Sequence, residues 1–258
     1  NIAPSLLYLF YDSFVLKLAE RCGKSVSVAT PFLNASLRDG SRVQATLGSD
    51  IAKHGSNFTV RRFTEAPLTP VDLLASGMCN LRMLSLLWFF VEHGKSIFVS
   101  GGTATGKTSL LNVLSMFIKP QMKIISIEDT QELRLPHAHW ISEVAQTPIS
   151  EEGKVDTFQL LRESLRQRPD YIVLGEVRGK EAYVLFQQMA VGHTGLATIH
   201  AENIEELVAR LSSPPISLPE NLIENLDVVV FLKRVKNGRM YTRRVESVVE
   251  IAGFDRKR

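Results

Sequence analysis

Hydrophobic and polar positions change their spacing along the first part of the chain. Apolar side chains recur at helical spacing over residues 8–19, and Gly23 follows where such a helix would end. Beyond it, apolar and polar positions largely alternate, which is typical of half-buried strands. This alternation predicts strands at residues 25–29, 34–37, 42–47 and 58–63. We therefore expect residues 1–66 to form a small α+β domain that is incomplete at its front.

A change of pattern follows at a proline-bracketed segment. Pro67 and Pro70 indicate a linker at residues 67–75, in which Thr69 can cap a short helix that Pro70 begins. Beyond it, buried-strand runs alternate with helical periods, an order that favours a mainly parallel sheet over residues 76–258. The predicted helices are 80–92, 110–118, one that Asp156 caps, 181–190 and 202–211; the predicted strands are 97–99, 123–128, 171–174, 196–200 and a closing hairpin of 226–235 with 240–251.

Composition is ordinary for a globular protein of 258 residues, with 45% hydrophobic and 22% charged residues. A formal net charge of +3 gives no argument for nucleic acid. The longest strongly apolar run, residues 84–91, is too short to span a bilayer. No signal peptide is evident, and a first residue other than Met indicates a fragment of a longer chain. Cys22 and Cys79 lack metal or disulfide spacing, so we expect a reducing cytosol.

A glycine-rich segment carries the clearest chemical pattern. Its sequence G-G-T-A-T-G-K-T fits the phosphate-binding pattern G-x-x-x-x-G-K-[ST], between a predicted strand and a predicted helix. Its glycines let backbone amides approach an anion, Lys107 can reach the β- and γ-phosphates, and the Thr108 hydroxyl can bind Mg²⁺. A glycine turn beside a surface lysine is the structural alternative, which the flanking strand and helix disfavour. The expected nucleotide contacts are Gly101, Gly102, Thr103, Ala104, Thr105, Gly106, Lys107, Thr108 and Ser109.

Two carboxylates follow predicted strands at the edge where parallel sheets bind ligands. Glu128 ends the strand at 123–128, and Glu176 follows the strand at 171–174. Hydrolysis of a nucleotide needs a carboxylate to orient or deprotonate water and others to hold Mg²⁺. Each residue could instead be a solvated surface acid, but the phosphate-binding pattern in the same domain favours a chemical role.

Two histidines, His193 and His200, bracket a predicted apolar strand. Because an imidazole can donate to a phosphate oxygen, the two could sense a γ-phosphate. A structural role is equally open at this point. A zinc pair is a further alternative, although no other Cys or His stands at useful spacing.

Arginines are a further set of candidates, because another domain or subunit commonly supplies an arginine that stabilises charge at a γ-phosphate. Most arginines are merely solvated, and the sequence leaves open which one reaches the nucleotide. The candidates are Arg42, Arg61 and Arg62 in the front domain and Arg134, Arg166 and Arg168 in the larger one. The Arg61–Arg62 pair precedes the predicted linker and is well placed for such a role.

Four blocks, in their order and spacing, resemble the secretion superfamily ATPases, the hexameric motors of type II and type IV secretion, type IV pili and the archaeal swimming filament. They read G-G-T-A-T-G-K-T, S-I-E-D-T-Q-E-L-R-L-P-H, R-P-D-Y-I-V-L-G-E-V-R and G-H-T-G-L-A-T-I-H, and match the Walker A, Asp box, Walker B and His box of that family. The second block is most similar to the archaeal branch. The front segments L-R-D-G-S-R-V-Q-A and F-T-V-R-R-F resemble the family's N-terminal domain, so the resemblance covers residues 25–201.

The chain departs from the family pattern in two places. Gly175 stands where Walker B usually has an aspartate, and the four-cysteine zinc insertion of many bacterial members is missing. The resemblance implies an α/β fold with a RecA-like P-loop NTPase core and a smaller α+β N-terminal domain. It also implies an ATPase that uses ATP and Mg²⁺.

Residue roles follow from the same resemblance. It implies that Lys107, Glu128, Glu176 and His200 are catalytic, with Glu128 as the water-activating acid and Glu176 as the Walker B acid. It implies Thr108 and Glu176 at Mg²⁺. Further nucleotide contacts are implied for Arg42, Arg61, Arg62 and His193.

For the whole protein, the resemblance implies a homohexamer whose domain motions drive an inner-membrane platform protein. Such an enzyme would be cytoplasmic and peripheral to the membrane, with no specific nucleic acid and no metal beyond Mg²⁺. Two alternatives stay open. A related motor for DNA uptake or conjugation would show tight, salt-dependent DNA binding. A nucleotide-gated scaffold with little turnover is disfavoured by the presence of both Glu128 and Glu176.

Overall fold

The computed structural model describes residues 4–48, 50–62, 66–145, 155–238 and 240–253. The chain divides into two compact units, Asn1–Glu65 and Ala66–Arg258. Each unit buries its own apolar side chains. The segment predicted as a linker, residues 67–75, lies at the start of the second unit and contains a helix.

The front unit combines one helix with a three-stranded antiparallel sheet. Helix α1 spans Pro4–Arg21, and strands β1 (Phe32–Ser36), β2 (Arg42–Thr46) and β3 (Asn57–Arg61) lie in that order. Alternation along β2 buries Val43 and Ala45 with the apolar side chains of α1. The other face of the sheet carries polar residues, and there Arg42 lies directly opposite Arg61.

The prediction of a strand at residues 25–29 is wrong, because the structure has no strand there. Ser27 and Thr30 exchange two backbone hydrogen bonds, of 3.2 and 3.1 Å, so this segment closes a local turn instead of joining the sheet. Pro31 follows and has no N–H to donate. Val26 is nevertheless buried in the core of the front unit, which explains why the pattern looked apolar. The last predicted strand ended at Phe63, which lies outside the described residues.

The larger unit alternates helices and strands, as its sequence pattern predicts. Its helices are α2 (Pro70–Ala75), α3 (Leu81–Glu92), α4 (Lys107–Met116), α5 (Thr157–Ser164, continued by a 3₁₀ turn at Leu165–Gln167), α6 (Glu181–Ala190), α7 (Ile204–Ser212) and α8 (Glu220–Ile223). Its strands are β4 (Ile97–Gly101), β5 (Ile124–Glu128), β6 (Trp140–Val144), β7 (Tyr171–Leu174), β8 (Thr194–Ile199), β9 (Val228–Asn237) and β10 (Met240–Glu250).

Local sequence explains where several of these helices begin. The side chains of Asn80, Asp156 and Asn203 each accept a hydrogen bond from a backbone N–H in the first turn of α3, α5 and α7. At α2, Thr69 and Asp72 form a reciprocal capping box, and Pro70 opens the helix. The predicted cap at Thr69 is therefore present in the structure.

The strands form one seven-stranded sheet in the order β10-β9-β4-β8-β7-β5-β6. Strands β9, β4, β8, β7, β5 and β6 pair in parallel, and β10 pairs antiparallel with β9 as the predicted hairpin. Apolar side chains alternate between the two faces, so that Ile97 and Val99 pack with α4 while Phe98 packs with α6. Helices therefore pack on both faces of the sheet, and the site lies at the ends of its central strands.

The sequence pattern missed two elements, the edge strand β6 and the short helix α8. Among the strands that the structure describes, β6 pairs with β5 alone, and none of its residues is fully buried. Its five residues therefore lack the continuous apolar run that identified the central strands. None of the helices in the described part of the chain combines the length and apolar character that crossing a membrane requires.

Candidate nucleotide-binding site

The parallel sheet brings four predicted catalytic residues to one edge. Lys107 follows β4, Glu128 ends β5, Glu176 follows β7 and His200 follows β8. Because these strands run parallel, all four residues lie at the carboxyl edge of the sheet, where α/β proteins bind ligands.

The loop between β4 and α4 owes its path to two glycines. Gly101 has φ +150°, and a Cβ there would lie 2.5 Å from the carbonyl oxygen of Leu232 on the neighbouring strand. Gly106 has φ +97° and stands at the start of α4, where no side chain caps the helix. The first amides of α4 are thus left available to an anion, and Thr108 and Ser109, which are half-buried, lie in this first turn.

The Lys107 side chain lies against this loop. Its ammonium donates hydrogen bonds to the carbonyl oxygens of Gly101 (3.0 Å) and Gly102 (2.9 Å) and to Nδ1 of His200 (3.3 Å). The residue is only 8% exposed. Burial lowers the pKa of Lys107, and the nearby carboxylate of Glu176 partly offsets this effect.

His200 joins the lysine to an acid. Its Nε2 lies 3.2 Å from Oε1 of Glu176, while its Nδ1 faces Lys107. Burial, followed by the Lys107 charge, lowers the pKa of His200, so the ring is neutral at pH 7. An ammonium can only donate and a carboxylate can only accept, so these contacts assign the proton to Nε2. The three side chains therefore form a continuous chain of contacts from Lys107 through His200 to Glu176.

An arginine holds Glu176 from the other side. Oε2 of Glu176 accepts a 2.6 Å hydrogen bond from Arg178, which also binds Asp129 at 2.7 Å. Burial acts to raise the pKa of Glu176, but Arg178, His200 and Lys107 outweigh it and the net pKa is lowered. The carboxylate is therefore held in its charged form between cationic and hydrogen-bonding partners.

Glu128 is fixed in a different way. It is 3% exposed, and its Oε1 accepts backbone hydrogen bonds from Glu132 (2.9 Å) and Leu133 (3.2 Å). Gly175 lies beside it, because a Cβ on that residue would stand 3.1 Å from Cγ of Glu128. The backbone thus orients the Glu128 carboxyl at the end of β5.

The structure does not bring His193 to this edge. His193 precedes β8 whereas His200 follows it, so the six residues Thr194–Ile199 separate them by about 20 Å along the strand. The expectation that both act at one nucleotide in the same chain does not fit this placement, and neither does a zinc pair. Arg42, Arg61 and Arg62 belong to the front unit.

The sequence pattern assigned no individual role to two residues of the site, Arg178 and Asp129. Both stand inside the motifs that pointed to the site, Asp129 directly after Glu128 and Arg178 two residues after Glu176. Their closeness in sequence to Glu128 and Glu176 was the one feature that could have pointed to a role in the site. Which acid Arg178 binds depends on side-chain direction, which motif spacing does not reveal.

Comparison with known proteins identifies the family. A family model described as "Type II/IV secretion system protein" matches residues 26–240. The chain belongs to this family. Membership in the type II/IV secretion family confirms the resemblance found in the four sequence blocks.

Individual relatives agree with this assignment. Uncharacterized protein MJ0900 of Methanocaldococcus jannaschii is 41% identical over 241 residues, which cover 93% of this chain and 44% of that protein. The type IV secretion system protein PtlH of Bordetella pertussis is 32% identical, over 89% of this chain and 78% of PtlH. This chain thus spans less than half the length of MJ0900.

A solved structure confirms the fold. The VirB11 ATPase of the Brucella suis type IV secretion system, crystallised with sulphate, matches with a TM-score of 0.56 and 26% identity. The match covers 92% of this chain and 79% of that one. The predicted α/β fold, with a RecA-like core and an N-terminal domain, is therefore confirmed for this member of the type II/IV secretion family.

Proposed function

We propose that this protein binds ATP with Mg²⁺ at the carboxyl edge of the large sheet and hydrolyses it to ADP and phosphate. The observation that carries the proposal is the contact chain from Lys107 through His200 to Glu176, next to an uncapped helix start. A buried ammonium, free amides and an ionised carboxylate are the groups that phosphoryl transfer to water requires. Membership in a family that contains ATPases supports the same reading.

The start of α4 and the side chains beside it would bind the phosphates and the metal. The amides at the start of α4 and the Lys107 ammonium would bind the phosphates, and the ammonium would neutralise their charge. Thr108 and Glu176 would hold Mg²⁺, since a hydroxyl and a carboxylate at one sheet edge are oxygen ligands of the kind that this ion takes. When bound, Mg²⁺ supplies charge stabilisation at the phosphate oxygens.

The two acids, Glu128 and Glu176, would have different roles in hydrolysis. Glu128, held by two backbone N–H groups, would orient and deprotonate the attacking water. Glu176 is tied to Arg178 and His200 and would stay charged near the metal. His200 would act as a neutral donor whose orientation Lys107 and Glu176 fix.

Beyond the site, we propose that the protein works as a homohexameric motor for secretion or for assembly of a pilus-like filament. In this role it would drive an inner-membrane platform protein from the cytoplasmic side. PtlH, a type IV secretion system protein, supports this assignment. This role is proposed for the whole protein, because this chain matches only 44% of the length of MJ0900.

The decisive experiment measures phosphate release from Mg²⁺–ATP by the full-length protein and by Lys107→Ala. We expect this variant to lose turnover while its thermal melting curve stays that of a folded protein. Lys119→Ala is the matched control, because Lys119 lies just beyond the other end of α4 and its ammonium forms a long ion pair with Glu92, at 4.0 Å. Turnover of Lys107→Ala within a few-fold of wild type would contradict the proposal. ATP binding by the wild type without turnover would instead favour the nucleotide-gated scaffold.

A further inference from the structure

The β9–β10 hairpin extends beyond the strand that leads into the phosphate-binding loop. Strand β4 pairs with β9 only as far as Leu232, opposite Gly101. The rest of β9 pairs with the first half of β10, from the Lys233–Arg244 pair to the Asn237–Met240 pair. This projecting part starts beside the loop and is rich in cations.

Pairing register sorts these cations onto two faces, because residues directly opposite each other in an antiparallel pair share a face. Arg243 lies opposite Arg234, two residues along the strands from the pair Val245 and Leu232. Since side chains alternate, Arg243 shares the face of Val245, which is buried in the same core cluster as α4. Arg244 therefore points to the opposite face.

Arg243 lies next to the start of α4. A Cβ on Gly106 would stand 3.3 Å from Cδ of Arg243 and 3.1 Å from Cε of Met78. The backbone N–H of Val245 donates a 2.7 Å hydrogen bond to the Met78 carbonyl oxygen, which anchors the hairpin at this point. Because Cζ is two bonds beyond Cδ, the guanidinium is within reach of an anion that is bound at the first turn of α4.

Charge also favours a role for Arg243. Like charges directly opposite each other destabilise a strand pair. Arg234 has a partner of its own, since its Cζ lies 3.7 Å above the ring of Tyr241, and Lys233 pairs with Glu246. For Arg243, no ion pair occurs among the residues that the structure describes. An anion near Gly106 would relieve the repulsion between Arg243 and Arg234.

Strand order fixes which end of a nucleotide Arg243 would meet. The residues of the hydrolytic end, His200 and Glu176, follow β8 and β7 on one side of β4, whereas β9 and β10 lie on the other side. We propose that Arg243 is a nucleotide-contacting residue that binds the α-phosphate and ribose end. This inference rests on the proposed function and extends it, because neither motif spacing nor the family resemblance assigns this residue.

A second opening beside the loop is a poorer candidate for that end of the nucleotide. A cavity of about 700 Å³ is lined by Gly102 and Thr103 on the loop side and by the start of α7. Three carboxylates, those of Glu202, Glu205 and Glu246, line it together with two cations, Arg234 and Lys233, of which Lys233 pairs with Glu246. The lining thus keeps a net negative charge, which disfavours phosphate, so the charges favour the Arg243 side.

The test compares Arg243→Ala, Arg243→Lys and Arg243→Gln with Arg244→Ala in the full-length protein. Arg244→Ala is the matched control, because it removes the adjacent arginine from the opposite face of the same strand. The readouts are the Kd of a fluorescent ADP analogue, the KM and kcat for Mg²⁺–ATP, and the melting temperature without nucleotide.

We expect Arg243→Ala and Arg243→Gln to raise the Kd for ADP and the KM for ATP by about tenfold, as for the loss of one charge-assisted hydrogen bond. The kcat should change less than twofold, because the contact is equally present in ground and transition states. Arg243→Lys should restore part of the affinity, and Arg244→Ala should leave it unchanged.

The outcomes separate this inference from the function on which it rests. If Lys107→Ala loses ADP binding and all Arg243 variants bind as Arg244→Ala does, the Arg243 inference is overturned and the proposed function stands. If Arg243→Ala lowers kcat with KM unchanged, the assigned end of the nucleotide is wrong. If the folded wild type binds no nucleotide, both proposals fall.

Discussion

Gly175 leaves the space that the Glu128 side chain occupies. A Cβ on residue 175 would stand 3.1 Å from Cγ of Glu128, closer than side-chain atoms usually approach, and 3.4 Å from its Cβ. The resemblance to secretion ATPases raised the question of why a glycine replaces the usual Walker B aspartate here. The geometry gives a physical answer, since a larger residue at 175 would press on the acid that we assign to water activation.

The first prediction tests this contact with Gly175→Ala and Gly175→Asp. Crowding at a packed site costs roughly 1–3 kcal/mol, and the cost should be larger for the aspartate. Turnover should fall more than ADP affinity, because Glu128 moves while the loop does not. Denaturant unfolding and steady-state kinetics measure the two effects. In a Glu128→Ala background the cost of Gly175→Ala should shrink, and an undiminished cost would refute the assigned contact.

The second prediction concerns pH and Arg178. Arg178 is the largest of the influences that lower the pKa of Glu176, against a burial effect that raises it. Arg178→Ala should therefore raise this pKa, so that Glu176 takes up a proton at higher pH. If the ionised acid is needed, the acid limb of the kcat/KM profile shifts to higher pH. Phosphate release must be measured from below pH 4.5 up to neutral pH, because the wild-type pKa of Glu176 is lowered from an ordinary value of 4.5 and its acid limb lies in that region.

Two further variants make the Arg178 experiment specific. Arg178→Lys keeps a cation near Glu176 and should move the acid limb less than Arg178→Ala does. Arg166→Ala is the control, because Arg166 is exposed and forms an ion pair with Glu163 in its own helix region. An Arg178→Ala profile that overlays the wild type would show that Arg178 does not set the charge of Glu176.

The sequence predicted the central strands well because their burial is continuous. The bounds of β7 and α6 match the prediction, since an apolar run and a flanking Gly192 mark them clearly. The phosphate-binding loop was also predictable, because its glycines and lysine have fixed spacing. The prediction of a strand at residues 25–29 was wrong for the opposite reason. Val26 is buried there, but the segment forms a turn closed by its own backbone hydrogen bonds.

Long-range relationships were not predictable in the same way. Motif resemblance placed both histidines at the nucleotide, whereas the length of β8 sets His193 at the opposite edge. The contact between Arg243 and Gly106 depends on hairpin register, and a bulge between Val245 and Ser247 shifts that register. Such contacts form between residues far apart in the chain, so the spacing of residues within one motif does not predict them.

The third prediction separates the two histidines. His200→Gln removes the link between Lys107 and Glu176, and we expect a loss of turnover of about a hundredfold, as for a lost positioning group. His193→Gln should have an effect at least about tenfold smaller, because the residue lies at the other end of β8. Single-turnover assays of both variants, beside melting curves, measure the difference. Equal losses in the two folded variants would contradict this assignment.

The fourth prediction separates the two acids. Glu128→Gln and Glu176→Gln should each keep ADP affinity and each lower ATP hydrolysis by about a hundredfold or more. They should differ in metal dependence, since only Glu176 is proposed at Mg²⁺, and raising the Mg²⁺ concentration should partly rescue Glu176→Gln alone. Glu163→Gln, on the exposed part of α5, is the control. Normal hydrolysis by either acid variant removes the role assigned to that residue.

The last prediction concerns assembly and the arginines of the front unit. Arg42 and Arg61 lie directly opposite each other on β2 and β3, so this face concentrates positive charge. A phosphate loop alone leaves the charge of the transition state under-stabilised, and an arginine from another domain or subunit can supply a factor of about a thousand. We expect turnover per subunit to rise with protein concentration, and Arg61→Ala to lower kcat much more than ATP affinity. Arg62→Ala should act in the same direction, while Arg38→Ala in the adjacent exposed turn should have no effect. Sedimentation and turnover measured over the same concentration series test this dependence, because concentration-independent turnover by a monomer would rule out an arginine supplied by a second subunit.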